Sequence, residues 1–150
     1  MDGGAMRIQQ IDHSELEPVA SGSGQQWLAA AFDQVLELPD YPMGRVLTAI
    51  EGDRTRAILG LELKSAVDDG LPCATIYILS VSPGHDRRGI GSRLVRFAEG
   101  IAHLNGCDRV QIAPELGLWS GGLCWLSLGY DHSGAGFLKD LSLRYRRSCA

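Results

Sequence analysis

Apolar and polar positions change rhythm several times along the chain. Met6–Ile11 (MRIQQI) reads as a short first strand. Asp12–Gly24 is rich in Ser, Gly and Pro and has room only for a loop or a short helix. Over Gln25–Leu38, Leu28, Ala31, Phe32, Val35 and Leu36 recur at three- and four-residue spacing, one stripe of a helix that Pro39 and Pro42 end. Arg45–Glu51 and Thr55–Ser65 then read as strands around a Gly52–Asp53 turn, with Ala57, Leu59, Leu61 and Leu63 on one face.

Val67–Cys73 is turn-rich, and Ala74–Val81 (ATIYILSV) hardly alternates. A β-branched, aromatic run of that kind predicts a central strand covered on both faces. Pro83–Arg88 is a polar loop, and a helix begins near Gly89. The spacing of Ile90, Leu94, Phe97 and Ile101 predicts its buried stripe, with Ser92, Arg93, Arg96 and Glu99 facing water. Asn105–Gly106 ends it. Arg109–Ala113 reads as a strand, so strand, helix and strand form a βαβ unit with parallel strands and a right-handed crossover. Leu118–Leu128 reads as a further helix, weakened by Gly121 and Gly122, and Phe137–Leu143 as a last strand. The fold class is therefore α/β (α+β). It is an antiparallel meander feeding a parallel pair, with helices on both faces, in one domain over residues 1–150 and a disordered leader over residues 1–5.

Composition narrows the function. The chain has 150 residues, 45% of them apolar, which is enough for a sizeable core. A net charge of −4 argues against a nucleic-acid partner and suits a cationic amine. No apolar run reaches membrane-spanning length, so no membrane partner is expected. Cys73, Cys107, Cys124 and Cys149 are scattered and lack metal-site spacing. They read as buried thiols of a reducing cytosol, and no metal is expected.

Chemistry concentrates in Val81-Ser-Pro-Gly-His-Asp-Arg-Arg-Gly-Ile-Gly91. Here a central strand enters a glycine-containing loop that opens a helix. First-turn amides lack helical partners and carry partial positive charge, so the junction suits a phosphate or diphosphate. Gly89 and Gly91 admit close approach, and Arg87 and Arg88 add cationic donors. The plainer reading is a tight turn beside solvated arginines. The dinucleotide fingerprint fails because Leu94 occupies its third glycine position, and no Gly-Lys-Ser/Thr of a P-loop occurs.

This segment resembles the signature of the GNAT superfamily of acyl-CoA N-acyltransferases, V-x-P-x-x-[RQ]-x-[RK]-G-x-G/A, which leads from the fourth strand into a long helix. Val81, Pro83, Arg88, Gly89 and Gly91 match in register, with Ile90 as the apolar filler. Asp86 departs from the [RQ] position, a repulsion of up to about 1 kcal/mol for an exposed carboxylate, which Arg87 can offset. The order of elements from Met6 to Val81 also fits, and Leu128-Gly129-Tyr130 resembles the exit from the family's last helix.

The resemblance implies an N-acetyltransferase moving an acetyl group from acetyl-CoA to an amine of a small molecule or peptide by direct attack. It implies that the strands of Ala74–Val81 and Arg109–Ala113 splay around the pantetheine arm. Cofactor contacts would come from Leu79, Ser80, Val81, Asp86, Arg87, Arg88, Gly89, Ile90, Gly91 and Ser92. The position of the family's proton-donating tyrosine, four residues before Gly129, holds Trp125, and the family's asparagine falls on Leu118. Indole is no acid, so Trp125 either lines the cofactor tunnel or is a core aromatic. The leaving thiolate then needs no acid, or Tyr130 or Cys124 substitutes, or the domain is a non-catalytic CoA-binding module. Candidate bases are Glu115 and Tyr77, against the plainer readings of a solvated carboxylate and a packed core tyrosine. His85 reads as a phosphate neighbour, and Asp68 and Asp69 as turn residues or attractants for a cation. A nucleotide-phosphate binder using the same loop is a third reading, and an exposed last strand leaves a homodimer open.

Overall fold

The structure is a computed structural model that describes residues 6–11, 27, 30, 44–52, 54–64, 73–82, 89–116, 119–120, 123–134 and 136–141. Its centre is a seven-stranded sheet. In chain order the strands are β1 (Met6–Ile11), β2 (Gly44–Glu51), β3 (Arg54–Lys64), β4 (Cys73–Val81), β5 (Arg109–Ile112), β6 (Trp119–Ser120), β7 (Leu123–Cys124), β8 (Asp131–Ser133) and β9 (Gly136–Asp140). The large sheet runs β1-β2-β3-β4-β5-β9-β8, while β6 and β7 form a separate two-stranded ribbon. Pairing is antiparallel except between β4 and β5. The meander feeding a parallel pair is thus present, with edges within a residue or two of those expected.

Of the helix expected over residues 25–38, Trp27 and Ala30 are helical and the rest lies outside the described residues. The same holds for the last strand beyond Leu141 and for the leader at residues 1–5.

One helix, Ile90–Leu104, crosses from β4 to β5 and packs on β2, β3, β4 and β5. Its C-terminus is a Schellman closure: Cys107 N–H donates to Ala102 O at 2.8 Å and Gly106 N–H to His103 O at 3.0 Å. Gly106 takes φ 82°, the left-handed conformation this closure needs. The asparagine–glycine stop is therefore as the sequence indicates.

The buried stripe differs from the expected one. Ile90, Leu94, Ala98 and Ala102 face the sheet with Gly91 and Val95, while Phe97 is 44% exposed. Small residues at 98 and 102 let the helix lie close to the strands, so the large aromatic turns outward. Each fully buried Leu or Ile contributes roughly 1.5–3 kcal/mol.

Glu99, expected on the wet side, is fully buried. It accepts from Tyr130 Oη at 2.8 Å and from Lys139 Nζ at 3.1 Å. Lys139 Nζ also donates to Leu128 O at 2.8 Å. A charge this deep survives only when paired, and the pair ties the helix to β9.

The segment expected as a helix over Leu118–Leu128 is instead the β6–β7 ribbon followed by a 3-10 turn, Trp125–Leu128. Gly121 and Gly122, poor helix formers, sit between the ribbon's two strands. Gly129 closes the turn at φ 93°. The last strand expected over Phe137–Leu143 is β9, whereas its hairpin partner β8 had no counterpart in the hydrophobic pattern, because it is three exposed polar residues.

Candidate active site

The parallel pair opens partway along. Cys73–Ile76 register with Arg109–Ile112, and the last link is Ala113 N–H to Ile76 O at 3.0 Å. Beyond it β5 turns away into the 3-10 turn Pro114–Leu116, while β4 continues to Val81 with register partners in β3 alone. At the fork the register of β3 on β4 slips between Gly60 and Leu61. Ile76 faces Leu61 and Ile78 faces Gly60, which leaves Tyr77 as the extra residue of a bulge. Bulges redirect the strand and what it presents.

The helix start lies downstream of the same strand. Gly89 is its N-cap at φ 75°, with no side-chain cap and no acidic residue in the first turn. The first helical hydrogen bond runs from Arg93 N–H to Gly89 O at 3.1 Å. The amides of Ile90, Gly91 and Ser92 therefore have no helical acceptor. Among the described residues a Cβ at Gly89 would meet nothing within 4 Å, so glycine is needed there for its backbone angle. These features fit an anion such as a diphosphate. The intended loop partners Asp86, Arg87 and Arg88, with His85, lie outside the described residues.

The structure brings Tyr77, Leu79, Ser80 and Val81 onto the part of β4 beyond its last register pair with β5, with Leu79 buried and Tyr77, Ser80 and Val81 half-buried. The backbone of Glu115 lies in the turn that leaves the fork. Asp68 and Asp69 are outside the described residues. Tyr130 is brought elsewhere: its hydroxyl is held by Glu99 on the helix, and the residue is 1% exposed.

Trp125 is fully buried in the apolar cluster that also holds Ile76, Leu79 and Ile112. It packs edge-on against Tyr130, with ring centroids 5.4 Å apart at 73°. Cys124, the other proposed acid, carries a free and half-buried thiol. Burial, then Cys73 and Asp108 nearby, push the Cys107 thiol up from its ordinary value.

The Glu99–Tyr130–Lys139 group was missed by sequence reasoning. Its signal was available in part: a lone acid at 99 shares the helix with Val95, Ala98 and Ala102. Beside it, Val95, Arg96, Glu99, Ser127, Leu128 and Lys139 line a hollow of about 260 Å³. No group of His, Cys, Asp and Glu suited to a metal occurs among the described residues. No helix among them is long and apolar enough to cross a membrane.

A mostly antiparallel sheet with one forked parallel pair beside a glycine helix start is a GNAT-like fold. The family model for the GNAT acetyltransferase family matches residues 8–117, and the chain belongs to that family. No curated protein matches the sequence.

Solved structures share the fold at low identity. An N-acetyltransferase, PaiA, from Thermoplasma acidophilum in complex with coenzyme A aligns at TM-score 0.59 and 14% identity, over 91% of this chain and 99% of that one. An aminoglycoside acetyltransferase from an uncultured soil metagenomic sample, in complex with sisomicin, aligns at 0.55 and 19%, over 72% and 76%. The KacTA–DNA complex aligns at 0.66 and 14%, over 97% and 99%.

Proposed function

We propose that this protein is an N-acetyltransferase that uses acetyl-CoA to acetylate an amine of a small molecule or peptide. The carrying observation is the parting of β4 from β5 beyond Ile76. A sheet edge opened in this way offers backbone groups to a ligand that itself carries amides.

In this reading the amides of Ile90, Gly91 and Ser92 hold the diphosphate, with Arg87 and Arg88 as cationic partners and Asp86 beside them. Leu79, Ser80 and Val81 line the pantetheine arm. Acetyl-CoA supplies an activated acyl carbon. The chain's task is to align that carbon with a neutral amine, which is entropic work. The amine nitrogen bonds to the acyl carbon, the C–S bond breaks, and the thiolate leaves with its electron pair. One proton must leave the nitrogen. Tyr77 at the bulge and Glu115 beyond the fork are the groups proposed to take it, directly or through water. The departing thiolate is a weak base, with an ordinary pKa near 8.5, so it can leave without a dedicated acid.

A second reading is a CoA-binding module without turnover. Tyr130 favours it, because the one phenol expected to replace the missing acid is committed to Glu99. The net charge of −4 supports an amine partner over DNA, although one neighbour of this fold is a DNA complex.

Calorimetry with CoA and acetyl-CoA, paired with thiol release over a panel of polyamines, aminoglycosides and lysine peptides, tests both readings. Binding with amine-dependent release supports the enzyme. Tight binding with no release from any amine supports the module. No binding at millimolar ligand ends both.

A further inference from the structure

Among the described residues, two buried side-chain nitrogens find no hydrogen-bond partner: Arg109 Nε and Trp125 Nε1. Arg109 is otherwise engaged and sits where β4 and β5 are fully paired. Trp125 is different. Its indole carries one donor and no acceptor, and the residue is 0% exposed. Buried donors left without a partner are rare in folded proteins, and one that persists needs an explanation.

Its position supplies one. The chain leaving β5 at the fork packs its first turn, Pro114–Leu116, against β4, and reaches Trp125 after the β6–β7 ribbon. Trp125 belongs to the same apolar cluster as Ile76 and Ile112, the last residues that β4 and β5 pair, and Leu79 further along β4. The ring is held in place: Tyr130 meets it edge-on, and Tyr130 is itself anchored to Glu99 at 2.8 Å. The neighbouring hydroxyl is therefore occupied, and the indole N–H lies in an apolar layer shared with residues of the fork.

We infer that the Trp125 indole N–H donates a hydrogen bond to a carbonyl oxygen of the pantetheine–thioester arm. This rests on the CoA reading of the fork. It assigns Trp125 a donor role rather than that of an inert wall or core aromatic. Indole keeps its proton throughout, so the residue orients and polarises the acceptor carbonyl without protonating the thiolate.

The three tryptophans give three indole N–H resonances in 15N-labelled protein, and Trp125→Phe assigns the one in question. With calorimetry establishing binding, that resonance is expected to move downfield and its hydrogen exchange to slow on addition of ligand. A change with both CoA and acetyl-CoA places the acceptor among the amide carbonyls of the arm. A change with acetyl-CoA alone places it at the thioester carbonyl. Replacing Trp125 by benzothienylalanine, a sulfur isostere without the N–H, keeps the ring's size. It should weaken binding about tenfold, as loss of one buried hydrogen bond does. CoA binding with an unmoved Trp125 resonance, or equal affinity in the isostere, overturns the inference and leaves the CoA reading standing. Absence of CoA binding in calorimetry overturns both.

Discussion

The two halves of the β4–β5 pair solve opposite problems. From Cys73 to Ile76 the strands are zipped, flanked by β3 on one side and β9 on the other. From Tyr77 onward β4 loses its parallel neighbour, and the helix start downstream has amides with no helical acceptor. Helix and zipped half are braced by a buried acid with every visible demand met: Glu99 takes Tyr130 and Lys139, and Lys139 also takes Leu128 O. In the closed half the Glu99 network secures stability. In the open half the helix-start amides without helical acceptors are prepared for a ligand. Substitutions in the closed half should therefore move stability and spare CoA, and those in the open half should do the reverse.

The largest effect is expected where the two halves meet. A Cβ at Gly136 would stand 2.5 Å from Ile112 O, a backbone atom that cannot swing aside. Gly136→Ala should cost about 3 kcal/mol by forcing β9 away from β5. Urea denaturation reads the loss. Because Ile112 is the last paired residue of β5, this is the closed-half change that should also disturb CoA binding. Unchanged affinity would mean that the fork does not depend on that edge.

Glu99→Ala comes next. It removes the carboxylate that Lys139 and the Tyr130 hydroxyl share, and such losses run to about 3–5 kcal/mol in full burial. Lys139 is 17% exposed and recovers some water, so about 2–3 kcal/mol is expected here. CoA affinity of the folded variant should stay within about twofold. A large drop in affinity would move this network from scaffold to site.

Two glycines at opposite ends of one helix make a matched pair. Gly89 and Gly106 both have positive φ, and neither Cβ would meet an atom within 4 Å. Alanine at either costs roughly 1 kcal/mol of backbone strain. Gly89→Ala should also weaken CoA about tenfold by tilting the first-turn amides, whereas Gly106→Ala should leave affinity unchanged. Equal effects on affinity at both ends would remove the diphosphate from the helix start.

Much of the closed half was legible in the sequence because burial writes itself into the apolar pattern. Ala74–Val81, Arg109–Ala113 and the Asn105–Gly106 stop were placed within a residue or two. The helix start was legible for another reason: Gly89 marks the N-cap, whose left-handed backbone angle favours glycine. Two features escaped. Glu99 reads as a wet-side acid at helix spacing, since its partners Tyr130 and Lys139 lie 31 and 40 residues away and no local pattern links them. Leu118–Leu128 has helical spacing, but its described residues form a ribbon and a tight turn, where tertiary packing overrides propensity. The same split sets Trp125 at the start of a 3-10 turn, which no periodicity announces.

The smallest expected effect belongs to the closed half and concerns pH. Cys107 precedes β5, is 2% exposed, and has its thiol pushed up by burial first, then by Cys73 and Asp108. Above the ordinary thiol value of 9.0 the unfolded chain ionises while the folded thiol still holds its proton. The folded state then binds more protons, so stability falls as pH rises through the alkaline range, and the contribution is fully present below that value. Cys107→Ala costs some packing at every pH but removes this slope. Urea midpoints from pH 7.5 to 10.5 should therefore fall more steeply for the parent than for the variant, the difference cancelling titrations common to both. Parallel curves would show that Cys107 is not shielded as its place against the sheet requires. CoA affinity at pH 7.5 should be the same in both, because Cys107 precedes the paired end of β5, away from where the strands part beyond Ile76.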